Sequence, residues 1–220
     1  MKQLFVLVIA INFFSLVTAQ DEIIQDTAAQ RILDNVSLNI NSYETIIADF
    51  ELNIDNRMED LHSKSSGTIF IKGNKYYMES LGTQVYYNGK TMWSYMPDIK
   101  EVTITEPDES EGDFVDNPAL IFSFYKRDFK YRLVGEVKVE NNWMYEIELY
   151  PKDLNQPYSR FKLYVEKGSN DLYMVKAISK DAIDYTIYIL NTKFNKEVKD
   201  DKFSFKEENF PGIEIIDMRF

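Results

Sequence analysis

Two hydrophobic periods divide this chain. Between residues 21 and 41, apolar side chains recur every four positions at Ile24, Ala28, Ile32, Val36 and Ile40, with Ala29 and Leu33 widening the stripe. That spacing predicts an amphipathic helix over 21–41. Gln25, Arg31, Asp34 and Asn35 fall largely on its other faces, Asp21 stands where a cap belongs, and Asn41-Ser42 closes it. From residue 45 the period drops to two. Phe50, Leu52 and Ile54 alternate with Asp49, Glu51, Asn53 and Asp55, as in a strand with one wet and one apolar face.

Strand signals then follow one another closely. Residues 67–72 and 75–79 flank Gly73-Asn74, and residues 85–87 and 91–95 flank Asn88-Gly89, a pair suited to a type I′ turn in which both positions take positive φ. A strand over 101–105 follows the Pro97-Asp98 turn. An acidic loop, 106–116, interrupts the sheet, and Asn117-Pro118 reads as a cap and first-turn proline for a short apolar helix carrying Leu120, Ile121, Phe122, Phe124 and Tyr125. Strands resume over 129–134, 137–140, 143–150, 160–166, 173–180 and 185–194, and Phe203-Ser204-Phe205 and residues 213–216 flank a Pro211-Gly212 turn. The spacing predicts one domain: an antiparallel sheet of roughly ten strands with one long and one short helix. So wide a sheet should curl toward a barrel, leaving the open mouth or the inner side for the helices.

The first residues change the picture of where the protein works. Lys2 precedes the apolar run Leu4 to Ile11, and Val17-Thr18-Ala19 has small residues where a leader is cut. This reads as a secretory signal peptide over 1–19, followed by one domain over 20–220. The apolar run is too short, and too interrupted by Asn12 and Ser15, for a membrane span. With no cysteine in the chain, neither a disulfide framework nor a thioether-linked lipid is possible, so the exported product should be soluble and diffusible. Loss of Lys2 leaves 24 basic against 36 acidic residues, a net charge of −12, which argues against nucleic acid or anionic membrane surfaces as partners.

Five segments, in order along the chain, resemble the periplasmic outer-membrane lipoprotein carrier family, LolA, in a form like that of Bacteroidetes. They are Tyr43-Glu44-Thr45-Ile46 through Phe50; Gly67 to Lys72; Asn88-Gly89-Lys90-Thr91-Met92-Trp93-Ser94-Tyr95; Asn117-Pro118-Ala119-Leu120-Ile121; and Phe203-Ser204-Phe205 with Pro211 to Asp217. The resemblance implies an incomplete, half-open β-barrel, mainly β with α, whose concave face is covered by helices acting as a lid. It implies a periplasmic chaperone that shields the acyl chains of lipoproteins. Such a carrier receives them from an inner-membrane ABC transporter and delivers them to the outer membrane, to an acceptor if one is present. Familiar members carry Arg-Pro directly after the lysine equivalent to Lys72, and that arginine is associated with holding the lid closed; here Gly73-Asn74 stands in its place.

Covering acyl chains requires apolar wall rather than placed polar groups, at about 0.8 kcal/mol per buried CH₂. The apolar sides of the alternating strands nominate Phe50, Leu52, Ile54, Ile69, Ile71, Tyr76, Met78, Trp93 and Tyr95 as wall. Ile32 and Val36 on the first helix, with Leu120, Ile121 and Phe124 on the second, are the candidate lid residues. Each is equally a candidate for ordinary core packing. Two apolar helices, a curved sheet and flexible fillers such as Met78, Met92 and Met96 together favour a cavity. The chemistry of catalysis is not visible. His62, the single histidine, lies in a polar stretch expected to be a solvated loop, and no second histidine or cysteine joins it as a metal ligand. The acidic run 108–113 lacks calcium-loop spacing, and no serine has a basic partner marked in sequence. The expectation is a monomeric, non-enzymatic carrier with no cofactor. A glycolipid-binding or envelope-stress sensor module on the same half-barrel is the rival reading.

Overall fold

The computed structural model describes residues 26–107, 125–126 and 128–219. Helix α1 (Thr27–Ser42) starts at Asp26, whose carboxylate accepts from the backbone N–H groups of Ala28 and Ala29, two of the donors a helix start leaves unpaired. Asp21, the expected cap, lies outside the described residues; the end at Ser42 is as expected. Its stripe Ala29, Ile32, Leu33 and Val36 is buried.

Twelve strands follow: β1 (Thr45–Asn56), β2 (Leu61–Lys72), β3 (Lys75–Ser80), β4 (Thr83–Tyr87), β5 (Met92–Met96), β6 (Glu101–Thr105), β7 (Phe129–Val139), β8 (Asn142–Pro151), β9 (Tyr158–Glu166), β10 (Leu172–Ser179), β11 (Ile183–Phe194) and β12 (Glu214–Asp217). They form one sheet in the order β12-β6-β5-β4-β3-β2-β1-β11-β10-β9-β8-β7. All neighbours are antiparallel except β12 on β6. The sheet is curved and not closed, for β7 and β12 stand at opposite edges. Two segments differ from the strands expected of them. Residues 129–139 are a single strand in which a bulge at Val134 absorbs the break expected there. Residues 203–205 are not a strand: Phe203 ends a 3₁₀ turn, Asp200–Phe203, and Ser204 caps it.

Register sorts the side chains into two faces. Cross-strand partners share a face, so the row Met78, Ile69, Ala48 with its neighbours Phe50 and Leu52 points inward, and Ile189, Ile187, Val175, Leu163 and Ile147 carry that face through the other half of the sheet. α1 buries its stripe against this inner face, in one core spanning both halves. Among the described residues α1 is the one α-helix longer than a turn, so the expectation of a face covered by two helices is not met there. The second helix, with Leu120, Ile121 and Phe124, lies outside the described residues. Its expected end is described: Tyr125 is buried, packs edge-on against Tyr131 and donates its hydroxyl to Asp34 on α1.

The outer face is covered in part as well. Residues after β11 cross β1 to β5, where Phe203 is fully buried among Tyr77, Ile47, Phe70 and Tyr86. Asp200 ties this strap to the β2–β3 hairpin by ion pairs to Lys72 at 2.8 Å and Lys75 at 2.7 Å. Lys202 places its ammonium 3.6 Å from the Tyr77 ring centroid, a cation–π contact, and burial lowers its pKa. On the other half, Glu148 is buried under Arg132 at 2.6 Å and Arg160 at 3.2 Å. His62 stands in β2 rather than a loop, with Nδ1 2.7 Å from Asp55 Oδ1, a hydrogen bond that raises its pKa.

Candidate functional site, an apolar cavity at the end of the helix

α1 does not fill the inner face. Beyond Val36 the helix leaves a cavity of about 500 Å³ between its last turn and the sheet. β1 contributes Ile46, Ala48, Phe50 and Leu52 to the wall; β2 and β3 contribute Ile69, Ile71 and Met78; β10 and β11 contribute Val175, Tyr185, Ile187 and Ile189. At the rim stand Asn39, Ile40 and Tyr43 at the helix end, Leu81 of the β3–β4 turn with Ser80 and Thr83 on either side, and Asn170 and Asp171 of the β9–β10 turn with Leu172 at the start of β10.

Local chemistry explains the shape. Phe50 lies across β2 because its partner there is Gly67: a Cβ on Gly67 would stand 2.3 Å from Phe50 Cζ and 2.6 Å from the Glu79 carbonyl oxygen. The ring can form the floor only while that position has no side chain. The β3–β4 turn has Leu81 at φ 52° and Gly82 at φ 74°, so a leucine occupies left-handed backbone that costs an L-residue roughly 1–2 kcal/mol. That leucine is 55% exposed at the rim. By contrast, Asn88 does not take positive φ; its side chain accepts from the N–H groups of Lys90 and Thr91, closing a longer loop before β5 than the expected two-residue turn.

The helix above the cavity is fastened along its length. Asp26 accepts from the Leu133 N–H at 2.9 Å, and this bond, against the opposing effect of burial, holds its carboxyl below the usual carboxylate range. Asp34 takes the Tyr125 hydroxyl and an ion pair from Lys126 at 2.6 Å; burial raises its pKa, but these two partners outweigh it and the net shift is downward. Burial and Asp34 together raise the Tyr125 pKa. At the rim, Asn39 Nδ2 donates to the Ser169 carbonyl at 3.2 Å and to Asp171 at 3.1 Å, joining the helix end to the β9–β10 turn. Tyr43 stacks on Phe194 with ring centroids 3.9 Å apart.

Of the wall residues nominated from sequence, Phe50, Leu52, Ile69, Ile71 and Met78 line the cavity. Ile32 and Val36 are instead buried in the seam between α1 and the sheet. Ile54 and Tyr76 also face inward without lining it; Ile54 packs against the core, and the Tyr76 hydroxyl donates to Met92 Sδ at 3.4 Å. Trp93 and Tyr95 are on the wrong face. Their partners Tyr86 and Gln84 point outward with Tyr77, and Tyr95 packs against Phe210 of the strap. The outer face of β4 and β5 is aromatic because the strap covers it, so alternation alone did not mark the inner side. Leu120, Ile121 and Phe124 fall outside the described residues. The β10–β11 wall was missed because nothing local in the sequence places β11 beside β1.

Among the described residues, no helix is long and apolar enough to cross a membrane and no group of histidine and carboxylate side chains could hold a metal ion. An open half-barrel with an apolar interior capped by a helix is the class that this fold and cavity define. The family model described as "Outer membrane lipoprotein carrier protein LolA" matches residues 22–147, and the chain belongs to that family. An uncharacterized protein of Methanocaldococcus jannaschii is 31% identical over 140 residues, covering 62% of this chain and 39% of that protein's length. Among solved structures, an uncharacterized conserved protein from Thermus thermophilus superposes with a TM-score of 0.55 at 12% identity, over 86% of this chain and 99% of that one. A DUF1329 family protein from Desulfovibrio piger gives a TM-score of 0.51 at 14% identity, over 82% and 97% of the two chains. These two are similar in fold.

Proposed function

We propose that this protein is a non-enzymatic carrier that holds the acyl chains of lipoproteins in the cavity below the end of α1. It would be exported by a leader cut after Ala19 and would act in the periplasm, receiving cargo from an inner-membrane ABC transporter and delivering it to the outer membrane. The observation that carries the reading is the cavity of about 500 Å³, walled by side chains such as Ile46, Phe50, Ile69 and Ile187 in a protein of the LolA family. Its volume falls within the range of small-ligand pockets, roughly 300–1,000 Å³. Burying about ten methylenes is worth about 8 kcal/mol, near the free energy of micromolar binding before the cost of association is subtracted.

The test is to purify the protein from the soluble periplasmic fraction of its native host, extract it with organic solvent and analyse the extract by mass spectrometry. Spheroplasts supplied with purified protein should release acylated lipoprotein as a soluble complex. Protein free of acylated cargo in both experiments would defeat the carrier reading.

A further inference from the structure

The cavity has an electrostatic character that its apolar wall conceals. Among the described residues lining it there is no lysine, arginine or histidine, and the one charged side chain is Asp171 at the rim. Pleating accounts for the missing cations. Lys72, Lys75, Lys176 and Lys193 lie on the wall strands, but each is next in sequence to an inward-facing position and points to the outer face. Two of them are committed there to Asp200.

The polar groups that do reach the cavity are neutral, apart from Asp171. Ser80 lines the cavity, and its buried Oγ has no hydrogen-bond partner among the described residues, which is costly for a hydroxyl unless a ligand completes it. Thr83, Asn170 and Thr192 add further uncharged donors and acceptors. Asn39 holds Asp171 in place through the bond from its Nδ2.

Resting on the carrier reading above, we propose that the cavity selects acyl chains that end in an uncharged ester or amide and rejects those that end in an anion. A carboxylate or phosphate drawn to the rim would lose water, find no cation among the described lining residues and face the Asp171 carboxylate within a protein of net charge −11. An ester carbonyl brings an acceptor with no charge to desolvate, and Ser80 Oγ–H is an unused donor beside the apolar wall. A free fatty acid or an anionic phospholipid, though equally apolar along its chain, is the poorer occupant. This keeps the carrier from being filled by the abundant anionic amphiphiles of a membrane.

The experiment is competition for an environment-sensitive fluorescent dye bound in the full-length protein at pH 8 and low ionic strength. The competitors, all below their aggregation thresholds, are methyl dodecanoate, dodecanoate and dodecyl phosphate. The methyl ester should displace the dye at least tenfold more effectively than either anion. Thr83→Lys, which puts a cation at the rim, should bring that ratio close to one, and Asp171→Asn should lower it. Ser80→Ala should weaken the ester about threefold to tenfold while barely changing the anions. Dodecanoate binding as well as, or better than, the ester in the unmodified protein overturns the selectivity and leaves the carrier reading standing. Failure of all three to displace the dye defeats the carrier reading, and the selectivity falls with it.

Discussion

Gly67→Ala tests whether the cavity floor is built as described. The added Cβ would lie 2.3 Å from Phe50 Cζ and 2.6 Å from the Glu79 carbonyl oxygen. The first contact can be relieved by turning the ring, but Phe50 is only 5% exposed and its neighbours are buried core. The second contact is with the backbone of β3 and can be relieved only by moving a strand that pairs on both sides. Overpacking of this kind costs typically about 1–3 kcal/mol. In a protein of this size each kcal/mol moves the melting temperature by about 2–4 °C. A cost of about two to three kcal/mol therefore corresponds to a fall of roughly 4–12 °C. Dye binding in the cavity should weaken with it, because the displaced ring enters the floor. The double variant with Phe50→Leu separates the two contacts. If the ring is the main obstacle, Phe50→Leu costs at least about 1 kcal/mol less in the Gly67→Ala background than alone, a coupling expected of residues in contact. Denaturant unfolding of the four proteins measures it. A Gly67→Ala change within about 0.5 kcal/mol of neutral, or no coupling to Phe50, would refute this account of the floor.

Leu81 and Asp200 give two further tests. Leu81→Asn puts a residue tolerant of left-handed backbone at φ 52° and removes an apolar rim side chain. It should raise the melting temperature by a few degrees, about 2–4 °C for 1 kcal/mol, while weakening dye binding; loss of stability would show that Leu81 packs rather than strains. Asp200 is held at a pKa of about 2, below its ordinary value of 3.8, chiefly by its hydrogen bond from Lys72 and then that from Lys75. Because the folded pKa is the lower one, its stabilising contribution is full above the unfolded value and is lost as pH falls from about 4 toward 2. Melting curves across that window should fall more steeply for the native protein than for Asp200→Asn; parallel curves would show that the strap does not depend on this carboxylate.

Much of the fold was legible because the spacing of apolar residues is itself the signal of burial. The four-residue recurrence through Ala28, Ile32, Val36 and Ile40 marks the helix, and Asn41-Ser42 marks its end. The period-two run through Phe50 and Leu52 marked β1, which gives Ile46, Ala48, Phe50 and Leu52 to the cavity wall. Half-burial leaves that imprint on any strand, whichever side is buried. For this reason alternation could nominate Phe50, Leu52, Ile69, Ile71 and Met78, yet it also drew in Trp93 and Tyr95.

Sequence alone determined most of the described strands, the helix α1, the curved mainly β architecture and the apolar character of a wall. Only the tertiary structure decided which face that wall turns inward. The strap after β11 makes the outer side of β4 and β5 as aromatic as a core, and its packing through Phe203 and Phe210 is a contact between distant parts of the chain. The pairing of β1 with β11 is equally non-local, and it brings Ile187 and Ile189 opposite Leu52 and Phe50. Those pairings, and the end of α1 short of filling the inner face, turn a set of half-buried strands into a cavity. Local spacing cannot encode them, because each depends on which distant segment arrives to share the burial.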